Sequence, residues 1–186
     1  AVGSVNADVS EDTDSNEGSV TVYEYSDESG NWILKGDVLY GKAKGDLAGY
    51  SVSLSSYGNT VAVGAVYADV SGNPYSNEGS VTVYEYYDAS GNWIQKGNVI
   101  YGQIEGDLAG RSVSLSSDGN TVSVGAVNAD DSGNPNNKEG SVTVYEYSVV
   151  DGWILKGDVI YGKVKIGYSV SLSSDGNTVS VGDVNA

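Results

Sequence analysis

The sequence returns on itself every 61 residues: Gly18-Ser19-Val20-Thr21-Val22-Tyr23-Glu24-Tyr25 recurs from Gly79 to Tyr86 and again from Gly140 to Tyr147. Each repeat is followed by a Trp and then by a Gly-Asn-Thr turn signal. A fixed period of this kind means one supersecondary unit used many times, in an array, propeller or solenoid whose units bury their apolar faces only against neighbours. Breaks in the period mark loops. Asp27-Glu28-Ser29-Gly30-Asn31 is trimmed to Val149-Val150-Asp151-Gly152, and Gly45-Asp46-Leu47-Ala48-Gly49 is matched late in the chain only by Ile166-Gly167.

Within each unit, runs rich in Val, Ile and Tyr alternate with period 2 and are separated by Gly, Asn, Asp and Ser clusters, the pattern of short antiparallel strands. In the unit where all four occur together they are 111–117, 121–127, 141–147 and 153–161. Asp118-Gly119 supplies the positive φ of the hairpin between the first two. Val81 and Val83 face one way while Thr82, Tyr84 and Tyr86 face the other, so both sides of this strand carry bulk that prefers burial. The strands before it set Val113 and Leu115 against Ser112, Ser114 and Ser116. That contrast of large and small faces suits close stacking of sheets, with Ser as a packing residue and the recurrent Trp as a plug between sheets. The expected fold is all-β: tandem four-stranded antiparallel blades of a propeller-like array, about three units of 61 residues. The divisions are a partial blade at 1–48, blades at 49–109 and 110–166, and a partial blade at 167–186.

Asp46-Leu47-Ala48-Gly49-Tyr50-Ser51-Val52-Ser53-Leu54-Ser55, followed by Gly58-Asn59-Thr60-Val61-Ala62-Val63-Gly64-Ala65-Val66, resembles the FG-GAP repeat of integrin-alpha-type β-propellers, in its bacterial and algal forms. The resemblance implies one four-stranded blade per repeat. Ala48, Ala109 and Ile166 stand where that family has Phe, although Gly49, Gly110 and Gly167 keep its Gly. The family's Asp-rich calcium loop lies between the first two strands, and the short Ser-Ser-Asp-Gly-Asn turn here does not reproduce it.

Charge limits the partners. With 25 Asp and Glu against 9 Lys and Arg the net charge is −16, which opposes nucleic acid and anionic membrane. No apolar run is long enough for a signal peptide or a spanning helix, so no membrane insertion is expected. Cysteine is absent, leaving redox compartment open. The candidate metal ligands are Asp8, Asp12, Asp14 and Asn16, in a loop whose alternate oxygens are spaced as in calcium sites. The equivalent loops from Asp69 and Asp130 lose that spacing.

Catalysis is not expected. There is no His and no Cys, and Glu24, Glu85 and Glu146, which recur between Tyr residues, read as rim charges. No cofactor is expected apart from the candidate calcium. The functional expectation is a non-enzymatic structural module of an extracellular or cell-surface fibre, ring or coat, partnered by further copies or by neighbouring repeats. The alternative is a cell-surface adhesion or glycan-binding propeller domain, with Tyr67, Tyr75 and Tyr87 as surfaces on which sugars could stack.

Overall fold

The computed structural model describes residues 1–8, 15–70, 75–131, 138–163 and 165–183. It is all-β with several antiparallel sheets, and no closed propeller is found among the described residues. None of them forms a helix long and apolar enough to cross a membrane.

The first sheet contains β1 (Val2–Ser4), β2 (Ser19–Thr21) and β5 (Leu39–Tyr40), beside a two-stranded ribbon of β3 (Tyr23–Ser26) and β4 (Asn31–Leu34). The second runs β6 (Ala48–Leu54), β7 (Thr60–Ala65), β8 (Ser80–Tyr87), with β9 (Asn92–Gln95) and β10 (Ile100–Tyr101) both on the far edge of β8. The third repeats this with β11 (Ala109–Leu115), β12 (Thr121–Ala126), β13 (Ser141–Ser148), β14 (Gly152–Leu155) and β15 (Ile160–Tyr161). The last holds only β16 (Ile166–Leu172) and β17 (Val179–Asp183).

One difference from the sequence reading concerns 153–161, expected as a single strand. It is broken into β14 and β15 around Lys156-Gly157, where Gly157 takes φ +77°. Gly36 and Gly97 sit at the same bend with φ +72° each, so the kink belongs to every unit. The inner strands carry a second irregularity. Register shifts between Ala48 and Ser51, between Ala109 and Ser112, and between Ile166 and Ser169. Gly49, Gly110 and Gly167 lie in these bulges with φ between 85° and 88°, a region costly for any residue with a Cβ. That is the physical reason this Gly persists while the residue before it varies.

The core lies between sheets, not within them. One cluster joins Val20 and Val22 of the first sheet to Val61, Val63 and Trp93 of the second. The other joins Ala62, Val81 and Val83 of the second to Val113, Leu115, Val122 and Trp153 at the third. The two-faced burial read from the sequence is present: Val81 and Val83 are fully buried, and Thr82 on the opposite face is buried as well. A sheet of this sequence without a neighbour would leave those residues wet, so folding and stacking are one event.

Candidate functional site at the sheet-to-sheet joint

The joint is built from the same contacts twice. Trp93 Nε1 donates to the Lys35 carbonyl at 2.8 Å, and Trp153 Nε1 donates to the Lys96 carbonyl at the same distance. Each indole lies over the glycine after that lysine. A Cβ on Gly36 would come within 2.7 Å of Trp93 Cδ1, and one on Gly97 within 3.0 Å of Trp153 Cδ1. The kink in the outer strand thus makes a seat that only glycine leaves open. The lysines then reach forward: Lys35 Nζ lies 4.9 Å from the Tyr86 ring centre and Lys96 Nζ 4.9 Å from that of Tyr147. Each Tyr packs against its own Trp, with centroids 5.3 and 5.4 Å apart.

Lys96 is buried, which is costly for an ammonium unless it is paired. Its Nζ donates to Asn120 Oδ1 at 2.8 Å and to the Gly119 carbonyl at 3.2 Å, with Glu85 at 3.6 Å. Glu24, Glu85 and Glu146, read from the sequence as rim charges, all lie beside the lysine of their own unit, at 3.0, 3.6 and 3.6 Å.

At the inner edge the serines do more than fill space. Ser51 Oγ donates to the Gly110 carbonyl (2.7 Å) and Ser112 Oγ to the Gly167 carbonyl (2.9 Å). Ser53 and Ser114 hydroxyls accept the N–H of Leu115 and Leu172, each at 3.0 Å. These hydroxyls tie successive inner strands together where the bulges leave ladder groups free. Arg111 bridges the same strands, its guanidinium 4.8 Å from the Tyr50 ring and 5.0 Å from the Tyr168 ring. The sequence reading missed these bonds. The recurrent Lys-Gly after each Trp was the signal for the seat; nothing local marked the serines as bonded.

The candidate calcium residues are distributed differently. Asp12 and Asp14 lie outside the described residues. Asp8 and Asn16 come together, but through a loop closure: Asp8 Oδ1 accepts the Asn16 N–H at 2.7 Å, and the Ser15 hydroxyl sits between Asp8 and the Glu17 carboxylate. The next loop repeats it, with Asp69 accepting the N–H of Asn77 and Tyr75 at 2.7 and 2.9 Å. Burial opposes ionisation of Asp69, yet those N–H groups and the Ser76 hydroxyl outweigh it and hold its carboxyl below the ordinary value. Among the described residues no group of three or more carboxylates is arranged to hold a metal ion.

The tyrosines are not gathered. Tyr75, 86% exposed, lines a groove of about 590 Å³ with Asn77, Asn128 and Lys138. Tyr87 ends β8, roughly 23 Å along the strand from Ser80, which lies at the loop end. No family model matches the chain, and no significant match is found among curated proteins.

Among the described residues, the first Trp and the last of the kink glycines differ from their counterparts. Trp32 is 68% exposed where Trp93 and Trp153 are 8% and 5% exposed. Tyr25, Ile33 and Leu34 are exposed around it. At the opposite end Gly157 has open space where its counterparts hold an indole.

Proposed function

We propose that this chain is a non-enzymatic structural repeat module, a tandem array of four-stranded blades of the FG-GAP kind, that self-associates into an extracellular fibre, ring or surface coat. The observation that carries the reading is the exposure of Trp32 at a position buried in both other units. An exposed apolar surface rimmed by polar residues marks an interaction site, and here the surface repeats one that the chain already uses internally. Two different faces of one molecule meeting in this way make a heterologous contact, which closes into a ring or extends as a filament. Acidity and the family resemblance support the extracellular setting. The engagement of Glu24, Glu85 and Glu146 by lysines supports a role without catalysis.

Negative-stain electron microscopy of the purified chain tests it. Rings or filaments with a repeat of about three blades are expected; isolated small particles at every concentration would contradict it. A second reading, adhesion through glycan binding, draws on the groove beside Tyr75. Binding to a glycan array, measured with and without calcium, would favour that reading if Tyr75→Ala removed it.

A further inference from the structure

We propose that this chain cross-links itself: Lys96 Nζ attacks the side-chain amide of Asn120, with Glu85 carrying the protons, to form an isopeptide bond that ties the second sheet to the third. The inference goes beyond the structural reading and does not depend on self-association.

Three separate parts of the fold bring the residues together. Lys96 follows β9 in the second sheet, Asn120 precedes β12 in the third, and Glu85 lies within β8. Lys96 Nζ stands 2.8 Å from Asn120 Oδ1 and 3.6 Å from Glu85 Oε1. The carbon to be attacked is one carbonyl bond, about 1.2 Å, beyond that oxygen, so the nitrogen is close to the roughly 3 to 3.5 Å of a near-attack pair. Both backbones are pinned. The Lys96 N–H donates to the Val83 carbonyl at 2.8 Å and the Lys96 carbonyl accepts the Trp153 indole, while the Asn120 carbonyl accepts the Tyr147 N–H at 2.8 Å. The Lys96 side chain is 6% exposed and lies against the Tyr147 ring, which shields the meeting point from water. Asn120 Nδ2 donates to Asp118 Oδ2 at 3.1 Å, holding the amide with its oxygen toward the lysine. The arrangement recurs one repeat later: Lys156 Nζ is 3.1 Å from Asn177 Oδ1 and 3.6 Å from Glu146 Oε1, and Asn177 Nδ2 donates to Asp175. In the first unit Tyr57 replaces that Asp, and Asn59 Oδ1 accepts the Ser55 hydroxyl instead.

Glu85 takes one proton from the Lys96 ammonium, freeing the lone pair that forms the Nζ–Cγ bond, and hands that proton to Asn120 Nδ2. A second proton follows the same path from Nζ, the Cγ–Nδ2 bond breaks, and the amide nitrogen leaves as an ammonium ion. Nothing is oxidised or reduced. Each chain reacts once on itself, so no substrate is turned over. Glu85 is half exposed, which gives the departing ammonium a way out to solvent. The product closes the segment between Lys96 and Asn120 covalently and prevents the second and third sheets from parting at this joint.

Mass spectrometry of the intact, folded chain and of its proteolytic peptides tests the bond. The peptide carrying Lys96 should be recovered joined to the peptide carrying Asn120, with the pair lighter than its sequence by one ammonia, about 17 Da. Glu85→Gln, at a half-exposed position, should keep the circular dichroism of the wild type and leave the two peptides separate. Separate peptides of full mass from the folded wild type, or a link that forms equally well in Glu85→Gln, would overturn the proposal. An ammonia loss confined to the Asn120 peptide and unchanged in Lys96→Met would be cyclisation of Asn120 onto its own backbone, and would overturn it as well.

Discussion

Replacing the same tryptophan by alanine in different units should give very different costs. Trp153 is 5% exposed, Trp32 is 68% exposed, and each keeps a Tyr partner 5.4 to 5.6 Å away. The extra burial of Trp153 amounts to roughly 150 Å² of largely apolar surface, or about 4 kcal/mol. Its loss also leaves the Lys96 carbonyl without the indole N–H, adding about 1 kcal/mol. Partial collapse of the site offsets some of this, so Trp153→Ala should cost about 3 to 5 kcal/mol. Trp32→Ala loses little beyond its aromatic contact, about 0.5 to 1.5 kcal/mol. Urea unfolding followed by circular dichroism, at a dilution where copies are separate, measures the difference. With a slope of about 2 kcal/mol per molar, Trp153→Ala should lower the midpoint by about 2 M and Trp32→Ala by well under 1 M. Equal losses would refute the claim that this residue stabilises the fold through the joint rather than through its own sheet.

Three further outcomes follow from the joint. Gly58 and Gly119 share a left-handed backbone, but a Cβ on Gly119 would lie 2.5 Å from Thr60 Oγ1 and one on Gly58 only touches Leu54 at 3.8 Å. Gly119→Ala should therefore cost more than Gly58→Ala in thermal melts, and equal costs would place the strain in the hairpin alone. Ser51→Ala removes one inter-sheet bond and should cost about 1 kcal/mol in urea unfolding, with no loss if the hydroxyl merely fills space. Burial raises the Asp107 carboxyl above its ordinary value, against the N–H bonds from Ile104 and Gln103 and with the charges of Glu78 and Asp130 adding to the rise. The folded chain then holds this proton more tightly than the unfolded one, so the contribution to stability is full below the unfolded value of 3.8 and declines as pH rises through the folded value. Asp107→Asn should flatten that decline in melts taken from pH 3 upward; a steeper decline in the variant would reverse the sign.

Much of the fold was legible because the repeat states each instruction several times. Period-2 runs placed the strands, and the length change at 149–152 fell at the turn between β13 and β14, but Ile166-Gly167, expected in a loop, opens β16, with Gly167 in its bulge. The faces of 80–87 were readable since Val and Tyr leave no wet side. The break of the outer strand was not, because Lys35-Gly36 and Lys96-Gly97 look like any tolerated glycine until the neighbouring sheet supplies the indole that needs the space. The serine bonds were hidden for a similar reason: their acceptors, the carbonyls of Gly110 and Gly167, are 59 and 55 residues away. At the candidate calcium loop the spacing of Asp8 and Asn16 was visible, but their bond to each other depends on how the loop folds back.

Sedimentation velocity of the wild-type chain and Trp32→Ala side by side, from micromolar to about millimolar concentration, tests the central claim most directly. The account predicts that the wild type grows with concentration in multiples of the monomer while Trp32→Ala stays monomeric throughout. A wild type that remains a monomer over the whole range, or a variant that associates equally well, would contradict it.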